Sequence, residues 1–146
     1  MSELSKKFEQ IVVSTYKKLY SEGSIPPVRT DSGIQVGNVL ITADGAYKSL
    51  WVDGTCIYKD ISLNCVTIKI ANLLALNKNS SLQKKLFDLD KEYNRHFVDK
   101  TIFLRHYQLA EAKEDEIRCD IMWARYTVSR DLCKKAKEKA ESLASF

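Results

Sequence analysis

Hydrophobic residues recur every three or four positions over the first part of the chain. Folded as a helix, this segment would carry along one side Leu4, Phe8, Ile11, Val12, Thr15 and Leu19. Lysines and glutamates occupy much of the remaining surface, which is the pattern of an amphipathic helix. Pro26 and Pro27 follow shortly after Gly23, and because proline lacks an amide donor the helix cannot resume there. We therefore predict an N-terminal amphipathic helix followed by an extended connector.

From Ile34 onward the hydrophobic period changes to two. Runs rich in β-branched and aromatic residues follow at 36–42, 47–52 and 55–58. Asp44-Gly45 and Asp53-Gly54 separate these runs. Glycine adopts positive φ without steric cost and aspartate tolerates it, so both pairs suit tight hairpin turns. The pattern predicts a three-stranded antiparallel meander, one face of which must be covered by a helix or by a second copy of the protein.

The remainder of the chain has the three-to-four-residue spacing of helices. Asp60-Ile61-Ser62 offers a capping residue for a helix that ends near Asn77. Asn79 or Ser80 can cap a second amphipathic helix, and Asp99 is a candidate cap for a shorter third one. The C-terminal half is therefore predicted to be wholly helical.

The last helix begins within the acidic stretch 111–116. Taken from about Glu114 to Ala144, it spans on the order of 45 Å at ~1.5 Å per residue. That length exceeds the diameter of a compact domain of this size, so the helix should project. Its stripe of small and branched side chains comprises Ile117, Ile121, Ala124, Val128, Leu132, Ala136, Ala140 and Leu143. The stripe needs a partner along its whole length, either the preceding helices folded back on it or the same helix of a neighbouring subunit.

A second apolar face on the same helix bears on that choice. Cys119, Met122, Trp123 and Tyr126 widen the apolar sector beyond a simple two-helix seam. We therefore predict a homo-oligomer, with a monomeric helical bundle as the alternative. The residues predicted to form the self-association surface are Ile117, Ile121, Trp123, Ala124, Tyr126, Val128 and Leu132, with the two aromatic residues as anchors.

Together these segments predict an α+β fold: an N-terminal helix, a three-stranded antiparallel meander and a helical C-terminal half that ends in a long amphipathic helix. Residues 1–78 would hold the first helix, the meander and its covering helix, and residues 79–146 a helical hairpin or bundle. A chain of 146 residues, 45% of them hydrophobic, suits one cooperative unit. No apolar run approaches ~18–20 residues and no secretory signal opens the chain, so we expect a soluble intracellular protein without a membrane partner.

The sequence motifs of catalysis and of metal or cofactor binding are missing. His96 and His106 are too far apart in sequence for the i, i+4 pair of a helical metal site. The chain has no glycine-rich phosphate-binding motif and no nucleophile elbow. Its four cysteines are scattered, and Asp88, Asp90 and Glu92 fall on different sides of a helix, which is typical of a solvated face. We predict no catalytic residues, no metal and no cofactor, and hence no enzyme.

The charge of the chain does not demand a nucleic-acid partner. Lys and Arg total 23 against 19 Asp and Glu, and the net charge of +4 is ordinary for a small domain. Basic residues towards the C-terminus are candidate phosphate contacts, namely Arg125, Arg130, Lys134, Lys135 and Lys137. Acidic residues dilute this group, and bases at the end of a helix also complement its dipole. Nucleic-acid binding is therefore not the favoured interpretation.

Five segments spread over most of the chain have a common likeness. They are Tyr20-Ser-Glu-Gly-Ser-Ile-Pro-Pro-Val-Arg-Thr-Asp, Val36-Gly-Asn-Val-Leu-Ile, Ile57-Tyr-Lys-Asp-Ile-Ser-Leu-Asn, Trp123-Ala-Arg-Tyr and Ser129-Arg-Asp. Taken together they resemble small uncharacterised proteins of T4-like tailed phages that infect marine cyanobacteria. None of the segments is a motif with a known chemical role, so the resemblance implies a biological setting and no site residues. It implies a viral protein made in the host bacterial cytoplasm, which agrees with free thiols.

In that setting two functions compete. We expect a non-enzymatic accessory or virion-associated structural protein that acts through self-association and contacts with other phage structural proteins. The alternative is an infection-phase accessory factor that binds nucleic acid or a host protein through its basic C-terminal helix. The first protein would be incorporated in the virion, and the second would act in the host cytoplasm.

Overall fold

Short antiparallel strands form the first part of the structure. The computed structural model describes residue 10 and residues 25–144. Each strand pairs with the next along the chain, and the sheet they form contains β1 (Val28–Thr30), β2 (Gly33–Val36), β3 (Val39–Asp44), β4 (Tyr47–Val52) and β5 (Thr55–Ile61). The α+β class agrees with the sequence analysis, but the predicted three-stranded meander is wrong, because the sheet has five strands. The predicted N-terminal helix lies outside the described residues.

The two unpredicted strands are too short to show a hydrophobic period. β1 has three residues and β2 has four. The predicted run 36–42 crosses the turn at Gly37 and Asn38, and so merges the end of β2 with β3. Gly37 has a φ of 58°, which glycine adopts without strain, and the chain reverses there. The turn at Asp53 and Gly54 is as predicted, with φ values of 50° and 80°.

One face of the sheet forms the floor of the hydrophobic core. Side chains alternate between the two faces of a strand. The buried face carries Ile34, Val36, Val39, Ile41 and Leu50, none of them more than 5% exposed. On the other face, the indole Nε1 of Trp51 donates a hydrogen bond to Oγ1 of Thr42 at 2.9 Å. The first face is therefore the one that helices must cover.

Helix α1 (Asn64–Ala75) covers that face. Every residue from Val66 to Leu73 is buried, because the helix lies between the sheet and the two helices that follow it. A helix that is covered all round needs apolar side chains on every side. The run Val66-Thr-Ile-Lys-Ile-Ala supplies them, with Lys69 as the charged exception.

The N-terminus of α1 is capped from a distance. The predicted local cap is wrong, since Asp60 lies within β5 and the N-cap position, Leu63, makes no side-chain capping bond. Asp90, from the next helix, instead accepts hydrogen bonds from the backbone N–H groups of Ser62 at 3.0 Å and Leu63 at 2.7 Å. The carboxylate satisfies backbone donors that the helix itself leaves without a partner.

Two long helices, α2 (Ser80–Ala112) and α3 (Glu116–Ala144), pack against each other along their length as an antiparallel hairpin. Asn79 caps α2 as predicted, accepting the N–H of Leu82 at 3.1 Å. The predicted break at Asp99 is wrong, because α2 continues through 33 residues without interruption. Packing against α3 on both sides of Asp99 outweighs its local capping preference.

The turn between α2 and α3 lies inside the acidic stretch, as predicted. Glu114 adopts a φ of 55°, which ends the first helix. The Asp115 carboxylate then accepts the backbone N–H of Arg118 at 3.1 Å and caps the second helix. The predicted start of the last helix near Glu114 is therefore correct within two residues.

The hairpin divides into a packed part and a projecting part. The core cluster, which joins the sheet, α1 and the adjoining ends of the hairpin, includes no residue between positions 94 and 139. At ~1.5 Å per residue α2 is about 50 Å long, against a diameter of about 40 Å for a compact protein of this size. We call residues 97–112 and 116–132 the distal hairpin, and the sheet, α1 and the remainder of α2 and α3 the base.

Candidate self-association surface

The seam between α2 and α3 follows a seven-residue repeat. On α3 the buried or half-buried positions recur every three or four residues, at Cys119, Met122, Tyr126, Ser129, Cys133, Ala136 and Ala140. Near the base the thiol of Cys133 lies 3.6 Å from the carbonyl oxygen of Tyr93 on α2. Small side chains along this part of the seam let the two helices approach closely.

The predicted stripe is divided: Ala136 and Ala140 belong to the seam, whereas five of its members lie on a different side of α3. At about 100° per residue, Ile117, Ile121, Ala124, Val128 and Leu132 are centred about 130° around the helix from the seam. We call these five residues the apolar stripe. Ile117 is 77% exposed and Val128 is 58% exposed, and the other three members are also exposed. The preceding helix folds back on α3, as one of the two predicted arrangements requires, but it leaves the stripe uncovered.

The two predicted aromatic anchors lie away from the stripe. Trp123 stacks at tilted angles on Tyr107 of α2 and on Tyr126, with ring centroids 5.1 and 5.2 Å apart. These contacts connect α2 to α3 near the end of the hairpin. Trp123 is nevertheless 45% exposed. The geometry assigns Trp123 and Tyr126 a role in holding the hairpin together, on a side of α3 that differs from the side of the apolar stripe.

The candidate phosphate contacts do not all lie on one surface. The guanidinium of Arg125 lies over the ring of Phe103, 5.9 Å from its centroid, and that of Arg130 lies over Tyr126 at the same distance. The three lysines are exposed. Arg130, Lys134 and Lys137 are four and three residues apart and share a side of α3, whereas Arg125 and Lys135 face other sides. Three of the five candidates thus form a short basic line, which is less than the continuous basic track that follows a nucleic-acid backbone.

Sequence reasoning missed a second line of exposed apolar residues, on α2. Val98, Ile102 and Leu109 are 46%, 47% and 48% exposed. They are four and seven residues apart, which places them along one side of the helix, and this spacing was visible in the sequence. It was missed because the region was divided at Asp99 into two shorter helices. Both helices of the distal hairpin thus carry uncovered apolar side chains.

Burial shifts the pKa values of several ionisable groups in the base. Burial raises the pKa of Asp90, although the N–H groups of Ser62 and Leu63 and the charge of Lys48 oppose that shift. Burial lowers the pKa of Lys48, whose Nζ donates to the carbonyl oxygen of Ala46 at 3.0 Å. Burial also raises the pKa of the Cys65 thiol to about 11. A thiol with so high a pKa stays protonated at neutral pH and is a poor nucleophile.

Two surface depressions are lined wholly by described residues. One, of about 350 Å³, is on the outer face of the sheet and is lined by Gln35, Asn38, Leu40, Trp51, Asp53 and Gly54. The other, of about 500 Å³, is at the hairpin tip and is lined by Glu111, Glu114, Glu116, Cys119 and Asp120. Within residues 25–144, no three His, Cys, Asp or Glu side chains are grouped so that they could hold a metal ion.

Comparison of the chain with known protein families, with characterised proteins and with solved structures finds no match. In the part of the chain that the structure describes, no helix combines the length and apolar character needed to cross a membrane.

Proposed function

We propose that the protein is a non-enzymatic structural or accessory component that acts by self-association through the apolar stripe. The observation that carries this proposal is the position of the stripe. It faces outward on a 29-residue helix whose seam already packs against α2. Large aliphatic side chains in a line on a projecting helix are typical of a surface that another helix covers.

The size of the exposed surface supports an interface. Ile117, Ile121, Val128 and Leu132 are 77%, 45%, 58% and 36% exposed, equivalent to about two fully exposed aliphatic side chains. Covering them would stabilise each protomer by roughly 3–6 kcal/mol, at about 1.5–3 kcal/mol for each side chain buried. The exposed side chains of Val98, Ile102 and Leu109 on α2 add further apolar surface to the distal hairpin.

The phage setting is part of the proposal and is supported by the five segments quoted above. In that setting the protein belongs to the particle or assists its assembly in the host cytoplasm. Mass spectrometry of purified virions tests this directly. Detection of the protein at a fixed stoichiometry would support a structural role in the particle. Its absence from purified virions would contradict that role.

Replacement of both Ile121 and Val128 by Asp tests self-association. Two charges placed in the stripe cannot be buried against a second copy without a large desolvation cost. Both positions are exposed within one chain, so the variant should remain folded while it dissociates. Light scattering should show a multiple of 16.7 kDa for the wild type and 16.7 kDa for the variant, with unchanged circular dichroism.

The matched control is the double variant Thr101→Asp and Gln108→Asp. Both residues are exposed on α2, and the variant introduces the same two negative charges into the same hairpin. It should keep the wild-type mass. A wild-type protein that stays monomeric at high concentration would contradict the proposal, and so would a stripe variant that keeps the mass of the wild-type assembly.

A further inference from the structure

We infer that two copies of the chain pair their α3 helices antiparallel, about a two-fold axis that passes beside Ala124. This inference rests on the proposed self-association through the apolar stripe and specifies its geometry. It follows from the spacing of residues along the stripe. Starting from the centre, large aliphatic residues occur at nearly the same distances in both directions.

The stripe is arranged symmetrically about its midpoint. When two stripes are laid antiparallel with the axis between positions 124 and 125, Ile121 lies opposite Val128 of the second copy. In the same register Ile117 lies opposite Leu132 of the second copy. Each aliphatic side chain therefore meets another one, as a self-complementary two-fold interface requires. Ala124, next to the axis, is small enough to let the helices approach closely.

Charge favours the same orientation. Beyond the stripe, Glu114 lies in the turn that precedes α3 and Lys135 lies on α3 one turn past Leu132, and both are exposed. In the antiparallel register the turn that carries Glu114 lies near Lys135 of the second copy, and this approach of opposite charges occurs twice. A parallel pairing would instead place Glu114 beside Glu114 and Lys135 beside Lys135. Antiparallel packing also sets the dipoles of the two helices against each other favourably.

One like-charged pair lies near the axis. Arg125 would approach its own copy in the second chain, which by itself opposes pairing. Its guanidinium is drawn sideways over the ring of Phe103, 5.9 Å from the centroid, and therefore away from the stripe. The aliphatic part of the side chain can still cover the edge of the interface.

Disulfide trapping tests the register. Ala124→Cys should form a covalent dimer under mild oxidation, because only residues at the axis meet their own copies within disulfide range. Ile121→Cys should not link to itself, but should link to Val128→Cys when the two variants are mixed. The wild type, which carries the same native cysteines, is the control for background linkage.

Charge reversal gives an independent test. Glu114→Lys and Lys135→Glu should each weaken self-association about three- to tenfold, since each turns two weak attractions into repulsions. The double reversal should restore the wild-type affinity, measured by analytical ultracentrifugation. Lys137→Glu, on the opposite side of α3 from the stripe, is the matched control and should change the affinity little.

The outcomes separate the two proposals. A protein that self-associates, but in which Ile121→Cys links to itself and the double reversal gives no rescue, would overturn the antiparallel geometry and leave self-association intact. A protein that never self-associates would overturn both. Linkage through Ala124→Cys together with rescue by the double reversal would support the two-fold pairing.

Discussion

The base and the distal hairpin bury their side chains in opposite ways. In the base, large aliphatic residues such as Ile41, Leu50 and Ile68 are at most 2% exposed. In the distal hairpin, the buried residues within 97–132 are Ala110 and Ser129, while large aliphatic residues face outward. The base thus closes a core by itself, whereas the distal hairpin closes a narrow seam and leaves several large aliphatic side chains exposed.

The number of layers explains this difference. Helix α1 has the sheet on one side and the hairpin on the other, so nearly all its positions are covered. In the distal hairpin each helix meets one neighbour, which can cover one side of it. Each helix of the distal hairpin therefore keeps a second apolar side exposed in the single chain.

The largest effect expected is on the base. Ile41→Ala removes a fully buried side chain and should lower the free energy of unfolding by about 2–5 kcal/mol. Ile117→Ala makes the same chemical change at a residue that is 77% exposed, and should alter it by less than about 0.5 kcal/mol in dilute protein. Urea unfolding followed by circular dichroism compares the two, and equal losses would contradict the division into base and distal hairpin.

The next effect concerns the hydrogen bonds by which Asp90 of α2 holds the start of α1. Asp90→Ala leaves the N–H groups of Ser62 and Leu63 without their acceptor and should cost about 2–4 kcal/mol of unfolding free energy. Asp90→Asn keeps one acceptor oxygen near both donors and should cost less than half as much. If the alanine and asparagine variants were equally stable, the carboxylate would not be acting as a distant cap.

The same residue gives a pH dependence with a definite sign. Burial raises the pKa of Asp90 in the folded protein, so the folded state binds the proton more tightly than the unfolded state does. Its contribution to the free energy of unfolding is greatest at low pH and decreases as pH rises through the folded-state pKa, above about pH 4. Relative to Asp90→Asn, the wild type should therefore lose stability as pH increases over that range.

The smallest effect compares two alanines on α3. Ala140 is fully buried between the hairpin and the core, and Ala140→Leu should cost about 1–3 kcal/mol by overpacking. Ala124 is exposed on the stripe, and Ala124→Leu should leave the stability of the single chain unchanged. Thermal unfolding at low protein concentration tests both variants. If the two variants had equal melting temperatures, α3 would be packed no more tightly around Ala140 in the base than around Ala124 in the distal hairpin.

Sequence patterns predicted the features that depend on neighbouring residues. The spacing from Ile117 to Leu132 predicted the long helix, and Asn79 predicted the start of α2. The strand order from β3 to β5 followed from two Asp-Gly pairs. In each case the signal lies within a few residues of the feature, so it survives in the sequence alone.

The failures have one physical cause, which is contact between distant residues. Asp90 was interpreted as part of a solvated face, but it is buried because the start of α1 packs on it 27 residues away in the chain. The local capping signal at Asp99 was real and was overridden by packing against α3. The seam and the stripe of α3 are both apolar, and the sequence could not show which of the two α2 would cover.

The seven-residue spacing of the seam also determines how the distal hairpin can change in length. A heptad inserted into each helix of the distal hairpin would lengthen it by about 10 Å and return every side chain to nearly the same direction. Because the core cluster draws nothing from positions 94–139, such an insertion would leave the base undisturbed. The length of the distal hairpin can thus change in whole heptads while the fold of the base stays the same.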